Sequence, residues 1–157
     1  MTWQTAHAKS GEQLKSIFRG AVDLLRLGEV EIQMRNKTES RKDKQNRLSF
    51  HWYREIAQQL EMDVDEVRAY CKLHFGVPIL RKDNSYRETY DKKLRPLHYE
   101  QKLMLMGKPF DMSVTSLLSV SEFVEYLNSI EKHFTQQGVR LTTSDDLYFE
   151  AMMKDNQ

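Results

Sequence analysis

A chain of 157 residues, 39% hydrophobic and 30% charged, is long enough to bury one core and has no apolar run of membrane-spanning length. Its formal charge of +1 excludes a uniformly basic or acidic protein, and its single cysteine, Cys71, excludes both an internal disulfide and a multi-cysteine zinc site. The five histidines are scattered without metal-ligand spacing, and the first residues lack a signal-peptide stretch. One cytoplasmic domain, with no metal or cofactor and no membrane attachment, is expected.

Trp3 to Ala8 alternates weakly, as in a short strand. Ser10-Gly-Glu-Gln13 has the pattern of a capping box. The helix it opens should run to about Arg26, with Leu14, Ile17, Phe18, Ala21, Leu24 and Leu25 in one stripe and Gly28 as its stop. Glu29 to Arg35 alternates polar and apolar, which predicts a half-buried strand with Val30, Ile32 and Met34 on one side. Residues 36–44 hold no apolar side chain and predict a basic loop.

The next helix is expected from about Gln45 to Glu61, with Leu48, Trp52, Tyr53, Ile56 and Leu60 on its core face. Phe50 falls outside that arc, between Arg47 and Arg54. Asp63-Val-Asp-Glu66 should cap a helix that ends at Gly76, and Pro78 predicts an extended piece over Val77–Leu80. Residues 81–96 suggest a polar loop with a helical turn, 97–107 a helix, and 110–120 an extended Ser/Thr-rich segment. Phe123, Tyr126, Leu127, Ile130 and Phe134 mark a helix from Glu122 to Gln137, ended by Gly138. A short last helix follows over 144–154. The class expected is α+β: one helix-rich domain over 1–157 with a small sheet built from an N-terminal strand–helix–strand.

Charge is unevenly placed. Residues 35–54 carry seven basic side chains against Glu39 and Asp43, a local net of +5, whereas residues 109–157 carry eight acids against three bases. Residues 72–108 are basic again, nine against four. Bases interleaved with aromatics and amides suit a phosphate backbone with stackable rings. The candidate DNA-binding residues are Lys37, Arg41, Lys42, Lys44, Gln45, Asn46, Arg47, Phe50 and Arg54. Gln45 and Asn46 equally suit a helix start, and Phe50 equally suits a dimer contact. Asp63, Asp65 and Glu66 fit helix capping better than a nuclease site, and no catalytic residue stands out.

Three segments resemble the NinB family, the Orf recombination mediators of lambdoid phages and prophages. They are Glu29–Lys37 leading to Asp43-Lys-Gln45-Asn46-Arg47; Val114-Thr115-Ser116 with Val120-Ser-Glu122-Phe123; and Gly138-Val139 before a capped terminal helix. Together they cover about half the chain. Lys44 is an extra residue in the first, Phe50 stands where the family often has Trp, and 72–110 does not align. The resemblance implies a non-catalytic α+β homodimer of RAGNYA-like fold. It would bind single-stranded DNA and help a RecA-type recombinase load where single-strand-binding protein covers the strand. A nuclease of phage recombination, and an interaction module for an acidic partner such as single-strand-binding protein, are the alternatives.

Overall fold

The computed structural model describes residues 6, 8–32, 34, 40–142 and 145–152. The chain divides into two compact units, 1–38 and 39–157. In the first unit, α1 spans Gly11–Leu25 and is capped as its sequence predicts, with Ser10 Oγ accepting from Gln13 N. Gln13 reaches back one residue further than a standard box, to Lys9 N at 2.7 Å. The apolar stripe is present, but no residue of α1 is buried.

Among the described residues of the second unit every regular element is helical. The unit contains α2 (Arg41–Leu60), α3 (Val64–Cys71), a π-helical turn (Lys72–Gly76), α4 (Val77–Leu80), α5 (Asn84–Lys93), α6 (Tyr99–Met106), a 3₁₀ turn (Thr115–Leu117), α7 (Val120–Gln136) and α8 (Asp145–Met152). No strand occurs among the described residues, so the expected α+β class and its small sheet are overturned. Residues 29–32 and 34 alternate as a strand would, but are irregular. Alternation supplies a face, whereas a strand also needs a partner for its backbone groups. The first expected strand lies mostly outside the described residues.

The core follows the helical stripes. Leu48, Trp52 and Ile56 of α2, Val67 and Cys71 of α3, and Phe123, Leu127 and Ile130 of α7 are all buried. Each such side chain contributes about 1.5–3 kcal/mol by leaving water. Tyr53 and Tyr126 are buried beside them, their hydroxyls 2.6 Å apart, which satisfies both polar tips inside the core. Burial raises the pKa of both phenols, so they stay neutral. Leu60, expected in the core, is 37% exposed, because α2 ends there and Glu61 turns the chain with a positive φ of 53°.

Gly76 and Pro78 do not break the chain as expected. The helix runs on from α3 through the π turn into α4, with Val77 N bonded to Lys72 O. Pro78 lacks a donor and crowds the preceding turn, and a widened turn just before it accommodates that crowding. Gly76 is needed for close approach: a Cβ there would overlap Val114 Cγ1. Residues 84–93, expected as a polar loop with one helical turn, are a full helix because Asp83 caps them, accepting from Tyr86 N at 2.8 Å. Helix α7 starts before Glu122, since Ser119 and Glu122 form a capping box. Gly138, at φ 85°, ends it as expected.

Candidate nucleic-acid interface

The basic loop is shorter than its composition predicts. Ser40 Oγ accepts from Asp43 N at 3.1 Å while Asp43 Oδ2 accepts from Ser40 N at 3.1 Å, so the helix opens at Arg41 instead of Gln45. Arg41, Lys42 and Lys44 therefore stand in its first turn, where a cation opposes the helix dipole. Asp43 in the same turn offsets part of that cost.

Lys42 turns inward across the chain. Its Nζ donates to Ser116 O at 3.1 Å and Leu118 O at 2.7 Å. Gln45 goes further. It is fully buried, and its Nε2 donates to Val120 O at 2.9 Å and Ala151 O at 3.1 Å. One amide thus ties α2 to the start of α7 and to α8. Gln45 is corrected from a DNA-contacting residue to a structural one, and Lys42 is largely occupied in the same way. The start of α2 and the stretch that opens α7 therefore meet in space, through backbone carbonyls of the second.

The remaining candidates divide by exposure. Arg41, Lys44 and Asn46 are half-buried, with Asn46 O accepting from Ser49 Oγ at 2.8 Å. Arg47, Phe50 and Arg54 are exposed along one line of α2, at the three- and four-residue spacing of a helix face. Lys37 lies outside the described residues. Phe50 is 44% exposed, and its ring meets Tyr53 edge-on at 5.5 Å. One side of the ring is therefore braced on the core.

A further cation joins it from α3. The Arg68 guanidinium carbon stands 5.8 Å from the Phe50 ring centroid, within cation–π range. Arg68 is held by Asp111 at 2.7 Å and, more loosely, by Asp65 at 3.6 Å. Asp111 also accepts from the buried Lys72 Nζ at 2.8 Å, and Lys72 donates to Met106 O at 2.7 Å. The hydrogen bond from Lys72, with help from Arg68, holds the Asp111 carboxyl below its usual range. Burial pulls the Lys72 ammonium down, against the pull of Asp111. Asp65, expected to help cap α3, leaves that to Asp63 and Glu66, and its Oδ2 accepts from Lys108 N at 2.9 Å instead. Arg68 was missed from sequence because nothing local links it to Phe50; only the turn between α2 and α3 brings them together.

The arrangement offers a half-exposed aromatic ring with the Arg68 guanidinium beside it and the exposed Arg47 and Arg54 on the same face of α2, which suits stacking and phosphate contacts. Among the described residues no group of three His, Cys, Asp or Glu side chains is placed to hold a metal ion. Among them, too, no helix is long and apolar enough to cross a membrane. Comparison of the chain with protein-family models, with curated proteins and with solved structures finds no match.

Proposed function

We propose that this chain is a non-catalytic protein that binds single-stranded DNA along the Arg47–Phe50–Arg54 line of α2. The observation that carries the reading is Phe50: a large ring left half in solvent, braced by Tyr53 and flanked by Arg68. A base stacked on the free side would gain aromatic contact while arginines meet its phosphates. Arg41 and Lys44 extend the positive charge toward the N-terminus of α2. Single strands are favoured over duplex because stacking requires bases out of their pairs.

The recombination role rests on the three NinB-like segments alone, without support from the fold, since the sheet that the family implies is absent among the described residues. On that reading the protein would serve a RecA-type recombinase at strands covered by single-strand-binding protein, in the bacterial cytoplasm. A strand-exchange assay on such covered DNA tests that part.

The binding itself is tested by titrating labelled single- and double-stranded oligonucleotides with the wild-type chain and Phe50→Ala. The variant should lose about 1–3 kcal/mol of single-strand affinity, as for removal of one stacked base. Its melting temperature should stay close to wild type, because Phe50 is only partly buried. Equal affinity in the two proteins would remove Phe50 from the interface.

A further inference from the structure

Apart from Lys72 and Lys108, which meet the carboxylates that hold Arg68, the basic segment 72–108 lies away from the α2 interface and builds a groove of its own. Three stretches converge there: Arg81 follows α4, Arg95 follows α5, and Lys102 lies on α6. The groove has a volume of about 300 Å³, at the small end of the range for small-molecule sites. One carboxylate, Asp91, pairs with two of the three cations. It fixes Arg81 through two bonds of 2.9 Å and holds Arg95 loosely at 3.6 Å. The cationic surplus is therefore two.

One wall is aromatic. Tyr99 is 44% exposed, and its hydroxyl is held 2.9 Å from His74 Nε2. His74 is itself stacked on Tyr70, with ring centroids 4.1 Å apart. The Tyr99 ring is thus set in place before any ligand arrives. Burial and the neighbouring His133 lower the His74 pKa, so at neutral pH it positions Tyr99 without adding charge. Arg81 is the fixed edge of the site, locked by Asp91. Arg95 is mostly solvent-exposed and able to turn toward an anion.

We infer that this groove is a nucleotide site, with the phosphate on Arg95 and Lys102 and the base against Tyr99. Guanidinium and ammonium groups at one mouth give charge-assisted bonds to a phosphate, and an exposed ring beside them accepts a base of any sequence. The same chemistry serves a free nucleotide or one link of a longer strand. The inference stands apart from the α2 interface, because no residue is shared.

The experiment is an amide-resonance titration of the full chain with adenosine monophosphate, inorganic phosphate and a short oligothymidylate. Adenosine monophosphate should shift amides in 73–81 and 95–102. Arg95→Glu with Lys102→Glu should weaken it by about tenfold or more. Tyr99→Ala should weaken adenosine monophosphate while leaving inorganic phosphate unchanged, which a purely electrostatic surface would not do. Oligothymidylate that moves the same amides identifies a link of a strand; movement by the mononucleotide alone identifies a free-nucleotide site, and either result supports the groove. Arg47→Glu with Arg54→Glu, which disables the α2 interface, should leave the mononucleotide shifts intact. No shift in the groove, or a charge-reversed variant that is folded by circular dichroism and binds as well as wild type, overturns the inference.

Discussion

Lys72, 1% exposed, places its ammonium 2.8 Å from Asp111 Oδ1 at the point where the π turn meets the 107–111 loop. Removing the carboxylate leaves the buried ammonium bonded to Met106 O and releases Arg68 from its closer anchor. Asp111→Ala should therefore cost about 2 kcal/mol or more in denaturant unfolding. Lys72→Met should cost less, since an apolar chain of similar length fills the same space without a charge to satisfy. The Asp111 carboxyl is held below its ordinary value, so its contribution is present above the usual carboxylate range. It is lost as pH falls through the depressed folded value. The acid limb of the stability curve should flatten in Asp111→Ala, and an unchanged limb would contradict the assignment.

Gln45 gives a contrasting outcome. Gln45→Leu removes both donors that meet Val120 O and Ala151 O. Leaving two buried carbonyls without their partner should destabilise the fold by about 2–3 kcal/mol. Oligonucleotide affinity of the folded fraction should stay within error, because the side chain does not reach the surface. A selective loss of affinity in a stable variant would return Gln45 to the interface.

Salt dependence measures the footprint. With Arg47 and Arg54 exposed, Arg41 and Lys44 half-buried, and Lys42 turned inward, about three or four phosphates are within reach of cations. The log–log slope for a single strand should then be about −2 to −3. Arg54→Ala should make it shallower by about 0.7. A slope near zero would show that phosphate contacts do not drive binding.

Helix α1 provides a test of self-association. Its charged residues lie on one flank of the apolar stripe and are placed symmetrically about Arg19, with Glu12 mirrored by Arg26 and Lys15 by Asp23. In an antiparallel pair of α1 helices the same flanks meet, and each of those mirrored positions brings opposite charges together, which outnumber the single like-charge meeting of Arg19 with its own copy. Sedimentation should show a dimer at micromolar concentration. Glu12→Lys with Asp23→Lys should weaken it, and adding Arg26→Glu with Lys15→Glu should restore it. A monomer in all three proteins would rule the pairing out.

Periodicity made the α2 and α7 faces legible: Leu48, Trp52, Ile56, Phe123, Leu127 and Ile130 are all buried where their spacing places them. Local capping was legible only in part. Asp63-Val-Asp-Glu66 marked the start of α3, whereas α7 was expected only from Glu122 although Ser119-Val-Ser-Glu122 has the same box pattern, and Ser40 with Asp43 used a shorter acid than the usual box. Gly76 and Pro78 were misleading because their local preference yields to packing against Val114 and to the widened turn. At the candidate interface, exposure of Phe50 followed from the helical period alone. The burial of Gln45 and the approach of Arg68 depend on α7, α8 and α3, and no pattern within α2 encodes them.

The bonds from Lys42 and Gln45 to carbonyls at 116, 118 and 120 span more than seventy positions of the chain. Such long-range closure is slow relative to helix growth, because the intervening loop must first be brought together. Helix α2 can therefore wind early from its Leu48–Ala57 half, while its first turn remains open until α7 has docked. Amide exchange during refolding should then protect the two ends of α2 at different times, and a chain emerging from the ribosome would complete its arginine-bearing end only after residue 120 had cleared the exit tunnel.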